Sequence, residues 1–505
     1  MLVTVAALAA LGIAVPAASA RLPLPYRESA SAVAKGIQRL TYTRQSPAQT
    51  INVARISKDA PYVLRAVPAM GGFGDGLERT SAICRRVGCT IAVNGDFWKP
   101  GTDQPIGGVV SLGHLLRTPV SDHLQVSLGR DGGLHAGRLE LRASLVPDDL
   151  APLSITGINR PPRGNELVIY TPAYGRTTGT KKGTLELPIK AVRPSGPVVL
   201  SRTTLVRVGK NGSEHGNAPI PGEGAVLAGR GRGDGAVRDL LRRVRSGETA
   251  PNALLRLDSN TNAVESIGGS HLLVRNGRAT PPSEPTSFVV GRHPRTLLGW
   301  TGDGDVLLVT VDGRQTGRAE GMTLAEAARM MVRLGATDAL NLDGGGSTTF
   351  VHKGKVLNRP SDRAVNNGRG TAIVQTPNPG QSTLGNVERP IAVALAVVPK
   401  SPKVAAANAV AMKSLEIPEH VDAPAPQASD PASVLPMRQA VALPAIVPGT
   451  AVGNDALKLA AILVGSLAIA LTAGSWGYRH GRRRAHQSWV RRLNGRASRP
   501  TARAR

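Results

Sequence analysis

Two stretches of this chain follow one plan: a helical pattern, a glycine, a short apolar run, then asparagine and glycine. They are "CRRVGCTIAVNGDFW" (Cys84–Trp98) and "VRLGATDALNLDGGGS" (Val332–Ser347). A helix stopped by a left-handed glycine and followed at once by a strand fixes the direction of both elements. Each strand then delivers an asparagine near its C-terminal end, Asn94 in one and Asn341 in the other. If both strands lie in one sheet, their polar ends converge on one cleft.

The second stretch is the more constrained. Alternation along "LNLDGGGS" sends Leu340 and Leu342 to one side and Asn341 and Asp343 to the other. Three glycines follow. Their successive N–H groups are expected to form an anion-binding nest, with Ser347, Thr348 and Thr349 adding hydroxyls. A carboxyl beside a bound anion is pushed towards its neutral form, which makes Asp343 a general-acid candidate. No Gly-Lys-Ser/Thr follows, so this is not a nucleotide P-loop.

The preceding helix is strongly signalled. Thr323 is the expected N-cap and Glu326 its partner in a capping box; Leu324, Ala328, Met331 and Leu334 share one face, and Gly335 supplies the stop. Two more helices are expected, over "GLERTSAICRRVG" to Gly88 and over "DGAVRDLLRRVRSG". Strands dominate elsewhere. "TLLGWTGDGDVLLVTV" reads as a hairpin turned at Gly302–Asp305, and Asn276-Gly277 as another hairpin tip. The acidic "GDGD" lacks the remaining ligands of an EF loop and reads as a plain turn. The expected fold class is α+β: a single mixed, strand-rich domain with a few packed helices, over residues 21–375.

Both ends depart from that pattern. Residues 1–20, "MLVTVAALAALGIAVPAASA", resemble a signal peptide cleaved after Ala20, although the usual basic residues before the apolar run are missing. Leu459–Tyr478 contains twenty residues without a formal charge, the length of a membrane-spanning helix. Trp476 and Tyr478 mark its interface, and ten arginines follow from Arg479 to Arg505. Basic flanks stay cytoplasmic, which predicts a single-pass protein of the cell membrane with its bulk outside. The tail is expected to set topology and contact anionic lipid rather than nucleic acid. Between 376 and 454, Pro- and Ala-rich sequence reads as a stalk.

The formal net charge is +27; removing the ten tail arginines from 62 basic residues leaves 52 against 35 acidic ones, or +17. A basic domain outside the cell attracts anionic polymers. Cys84 and Cys89 are the only cysteines. In an oxidising compartment they are expected to form a short-loop disulfide. Their spacing matches no zinc site, no other metal pattern is present, and no cofactor is expected.

The segments "VNGDFW", "NRPPRGNELVIYTPAYGRTT", "HPRTLLGWTGDG", "VDGRQTGRAEGMTLAEAARMMVRLGATDALNLDGGGSTTFV" and "LNRPSDRAV" occur in this order. Together they resemble the phosphodiester glycosidase family, from about Asn94 to Val374. Where that family usually has two phenylalanines after its Asn-Gly, this chain has Phe97-Trp98. The resemblance implies hydrolysis of a sugar-1-phosphodiester. It carries motif positions onto Asn94, Gly95, Asp96, Arg295, Thr296, Asp312, Gly313, Arg314, Gly321, Asn341, Asp343, Gly344, Gly345, Ser347 and Arg363. In that reading Asp343 leads as acid/base, with Asp96 and Asp312 behind it. Arg295, Arg314 and the Gly344–Gly345 backbone hold phosphate, and Arg363 and Asn94 orient the substrate. The expected partner is a sugar-phosphodiester glycan or wall polymer. Two other readings use the same residues: a non-catalytic phosphoglycan-binding module, and an accessory factor of exopolysaccharide or cell-wall assembly.

Overall fold

The computed structural model describes residues 26–400, apart from 75, 121–122, 149, 197–201, 249–250, 260–262, 367–370 and 375–382. The expected signal peptide, membrane helix and basic tail lie outside the described residues, as does the stalk beyond 400. Among the described residues no helix is long and apolar enough to cross a membrane.

Among the described residues four α-helices occur: α1 (Thr80–Val87), α2 (Arg232–Ser246), α3 (Ser287–Val290) and α4 (Leu324–Arg333). Five strands position the site: β1 (Ile91–Asn94), β2 (Arg295–Thr301), β3 (Val306–Val311), β4 (Ala336–Asn341) and β5 (Val393–Pro399). β2, β3 and β4 sit in an eight-stranded sheet ordered 27–34, 37–45, 48–56, β3, β2, β4, 272–275, 278–279. All its pairings are antiparallel. β1 and β5 belong to a second sheet, ordered 355–356, 350–352, β1, β5, 62–68. The two sequence units therefore do not share a sheet, so the condition posed above for their convergence is not met.

They meet because the two sheets pack on each other. Leu298, Leu308 and Leu340 share one apolar cluster with Ile91, Val93, Leu395 and Val397. Their neighbours in sequence, Leu297, Val309 and Ala339, face the other way onto Leu324, Ala328 and Met331 of α4. Beyond the second sheet, Ala92, Ala394 and Ala396 pack on Ile83, Cys84 and Val87 of α1. Period-two alternation thus builds four layers: α4, sheet, sheet, α1. A further eight-stranded sheet between 141 and 259 packs α2 through Val237, Leu240, Leu241 and Val244.

Local signals hold. Thr323 and Glu326 form the reciprocal capping box, and Gly335 is left-handed at φ 89°. α1 ends at left-handed Gly88, after which Cys84 and Cys89 are disulfide-bonded. β2 and β3 pair as the expected hairpin. In its turn, Asp305 Oδ2 accepts from Arg55 Nε at 2.9 Å, so that carboxylate is spent on an arginine.

One boundary is corrected. Composition places 376–399 in the stalk, yet β5 is a central strand of the second sheet, paired with β1 and with 62–68. "VALAVV" is alanine-rich because α1 and the first sheet press on its two faces, not because it lacks a fold.

Candidate active site

The ends of β1 and β4 are tied together through Asn94. This side chain is fully buried; its Nδ2 donates to the Asp343 carbonyl at 2.6 Å. Its Oδ1 accepts from Thr296 Oγ1 at 2.6 Å and from Thr349 N at 3.1 Å. Asp343 N in turn donates to the Gly95 carbonyl at 2.9 Å. Asn94 and Thr296 therefore join three strand ends and position the loop, rather than touching a substrate. Truncating Asn94 to Ala strands buried Thr296 and Thr349 donors and costs about 2–4 kcal/mol, read as a fall in thermal midpoint. Asn341 is likewise internal, donating to Ser270 Oγ and the Leu342 carbonyl, both at 2.9 Å.

The three glycines have a different job from the one expected. The Gly344 N–H donates to Asp343 Oδ1 at 2.9 Å and the Gly345 N–H to the Pro294 carbonyl at 3.0 Å. Neither is left for an anion, so the nest reading fails for this pair. What the glycines supply is close approach. A Cβ on Gly344 would lie 2.6 Å from the Pro294 oxygen. One on Gly345, where φ is +60°, would lie 3.1 Å from both terminal nitrogens of Arg314. One on Gly346 would lie 2.0 Å from Asp362 Oδ1 and 2.2 Å from Arg389 Nη2. The missing side chains let a pair of cations and a carboxylate close in on the Asp343 loop.

Arg389 holds Asp362 with two bonds, Nε to Oδ2 at 2.7 Å and Nη2 to Oδ1 at 3.0 Å. Arg314 is exposed and adopts φ 58°, a costly conformation for a residue with a long side chain. Partial desolvation of its guanidinium by the neighbouring loop lowers its pKa, Asp362 and Asp343 pull it back up, and Arg389 lowers it. Burial pushes the Asp343 carboxyl up to about 6. The Ser347 hydroxyl, the Gly344 N–H and Arg389 draw it down, and the negative charge of Asp96 raises it. Asp343 thus holds its proton nearer neutrality than an ordinary aspartate, within reach of two arginines.

Asp96 lies in the same field and is itself immobilised. Its Oδ1 accepts from Phe97 N at 2.7 Å, its Oδ2 from Gly107 N at 2.5 Å, and His123 Nε2 lies 3.3 Å from Oδ1. A Cβ on Gly107 or Gly268 would fall 2.4 or 2.5 Å from Oδ2, so both glycines wall it in. The Asp96 carboxyl is fixed in place and has little freedom to act as a nucleophile. Beside it, the rings of Phe97, His123, His271 and Phe288 form a partly exposed cluster. Phe97 meets His123 at 6.3 Å and Phe288 at 5.9 Å, and His271 meets Phe288 at 5.9 Å. Burial lowers the His271 pKa, and His123 and Arg295 lower it further while Glu284 raises it.

Two expected site residues sit elsewhere. Arg295 is 1% exposed and spends its N–H groups on backbone carbonyls, Nε on Met322 at 2.9 Å and Nη2 on Phe288 at 2.7 Å and Gly291 at 3.0 Å. Burial, and secondarily Arg314, lowers its pKa to about 10. Its guanidinium secures α3 and the ring of Phe288 rather than presenting a free fork. Asp312 is 1% exposed; it accepts from Asn358 Nδ2 at 3.0 Å and from Arg359 N at 3.1 Å, and burial raises its pKa. It braces the 348–359 segment and lines a separate groove. Arg363 is half-buried at the start of the 363–366 strand, next to Asp362.

Sequence reasoning missed Arg389, Asp362, His123, His271 and Phe288. Asp362 stands inside a quoted motif, "LNRPSDRAV". Arg389 fell in sequence assigned to the stalk. Among the described residues no group of three or more His, Cys, Asp or Glu is placed to hold a metal.

Residues 194–398 match the phosphodiester glycosidase family. The human N-acetylglucosamine-1-phosphodiester alpha-N-acetylglucosaminidase is 33% identical over 124 residues, 22% of this chain and 24% of that protein. An uncharacterized prophage-derived protein of Bacillus subtilis, YomE, is 38% identical over 71 residues, 14% of this chain and 11% of that one. The chain thus spans about a quarter or less of the curated relatives it matches. A hypothetical protein from Synechocystis shares the fold, with a TM-score of 0.54 at 21% identity over 74% of this chain and 63% of that one. The matched segment 194–398 contains the motif that ends in the Asp343 loop, and it is this part of the chain that is similar to the phosphodiester glycosidase family.

Proposed function

We propose that this protein hydrolyses a sugar-1-phosphodiester, releasing the sugar and a phosphomonoester. The observation that carries the reading is the Asp343 loop itself: Gly344 N–H fixes the Asp343 carboxyl, Arg314 and the Asp362-bound Arg389 close over the next two glycines, and burial raises the Asp343 pKa to about 6. Phosphate is already a fair leaving group from C1. Arg314 neutralises its charge, and its planar fork suits phosphate oxygens. Asp343 gives its proton to the departing phosphate oxygen as the C1–O bond breaks, a role that needs a carboxyl neutral at working pH; water adds to C1 and its released proton restores Asp343. The Asp96 carboxyl, fixed by the Phe97 and Gly107 N–H groups, lies on the same side of the loop and faces the oxocarbenium-like centre. The Phe97–Phe288–His271 cluster offers apolar faces for a sugar ring. The human relative, an N-acetylglucosamine-1-phosphodiester alpha-N-acetylglucosaminidase, carries a name that agrees with this chemistry. The test is release of free sugar from a soluble sugar-1-phosphodiester by the purified protein; no release at any pH between 4 and 8 overturns the reading.

On sequence alone we also place the folded unit outside the cell, held by the apolar run Leu459–Tyr478. Protease added to intact cells then digests this unit; protection until the cells are opened contradicts the placement.

A further inference from the structure

A groove of about 1020 Å³ runs over the outer hairpin of the eight-stranded sheet and the loop after β3. Arg27, Arg39, Arg44 and Arg318 line it, against one acidic residue, Asp312. Both Asp312 oxygens are already taken by Asn358 and Arg359. Among the described residues these arginines form no ion pair. Arg44 donates to the Pro47 carbonyl and stacks on Tyr26, Arg318 donates to Gln315, and Arg39 makes a 3.4 Å contact to Asn52. Asn52 is 2% exposed, and its Nδ2 has no hydrogen-bond partner among the described residues; nor has Arg39 Nε. Buried donors are rarely left unmet, so these mark a polar floor under the groove that ordered water completes and through which a bound anion can be held.

The groove is also tied to the Asp343 loop. Asn358 Nδ2 donates both to Asp312 and to the Thr348 carbonyl, five residues beyond Asp343. The loop that carries Arg318 into the groove begins with Arg314, which packs over Gly345. One loop thus presents one arginine to the site and another to the groove.

We infer that this groove binds further phosphates of a repeating phosphodiester polymer whose terminal or internal sugar-1-phosphate lies at Asp343. The inference rests on the proposed function and names its substrate class: a linear glycan or polyol chain with regularly spaced phosphates, rather than a single small diester. Its lining of Arg, Thr, Gln, Ser and Asn suits phosphates and hydroxyls. It contains no Phe, Tyr or Trp, the stacking platforms that single-stranded nucleic acids use.

The probe is a poly(glycerol phosphate) chain of about ten repeats, with glycerol 1-phosphate and a single-stranded DNA of equal charge alongside. The full-length protein is expected to bind the polymer at least about tenfold more tightly than the monomer, as several weak contacts act together. Arg27→Gln with Arg39→Gln weakens polymer binding by roughly tenfold while hydrolysis of a small sugar-1-phosphodiester is unchanged. Arg318→Gln alone gives a smaller loss and serves if the double variant folds poorly. Polymer binding lost in these variants supports the groove even if no diester is hydrolysed, so the two proposals fail separately. Equal affinity for monomer and polymer, polymer binding untouched by the variants, or tighter binding of the DNA overturns the inference.

Discussion

Asp343→Asn lowers kcat/KM for a sugar-1-phosphodiester by at least about 10²-fold, the range for loss of a positioned general acid. The fold survives, because an amide oxygen still accepts the Gly344 N–H that the carboxylate accepts now. The wild-type rate is expected to fall tenfold per pH unit above about 6, where Asp343 loses its proton, and the variant's residual rate to lack that limb. Stability adds a second readout. The folded-state pKa lies above that of an unfolded aspartate, so the native protein binds the extra proton between about pH 4 and 6. Asp343 therefore contributes stability at low pH that disappears as pH rises through 6. Above pH 6 the variant, which has no charge to bury, should be as stable as wild type or more stable by about 1–2 kcal/mol. Near-normal turnover in a folded variant would remove Asp343 from the chemistry.

Gly346→Ala should be the most damaging single methyl in the site. Its Cβ would sit 2.0 Å from Asp362 Oδ1 and 2.2 Å from Arg389 Nη2, on both partners of a two-bond ion pair. Asp362 is 1% exposed and cannot retreat to water. Parting a buried pair costs about 3–5 kcal/mol, so a loss of that size in urea unfolding is expected, together with loss of turnover. Gly345→Ala is the informative contrast. There the Cβ meets the mobile end of Arg314 at 3.1 Å, and left-handed φ adds about 1 kcal/mol. Its expected signature is a raised KM with a modest stability change. If Gly346→Ala is as stable as wild type, the packing account of the glycines is wrong.

The legible parts of this protein are those written in local rules. The capping box at Thr323, the stop at Gly335, the β2–β3 hairpin and the side on which Asp343 emerges all follow from spacing of a few residues. Legibility ended where contacts join distant segments. That Asn94 serves the loop instead of a substrate depends on Thr296 and Thr349, 202 and 255 residues away. The glycine triplet reads equally as donor nest or as clearance until Pro294, Arg314 and Arg389 are in place. Alanine-rich β5 looks like linker because strand propensity is weak evidence where burial on both faces decides.

The position of β5 also orders events in time. Gly95 N donates to the Val393 carbonyl, and Gly95 O accepts from Asp343 N, so the Asp343 loop hangs from a strand near residue 393 through one intermediate residue. A growing chain that has completed every motif up to Ser347 still lacks that support. The site can assemble only after some fifty more residues have emerged, so a nascent or truncated chain that ends before β5 carries the Asp343 loop without its keystone.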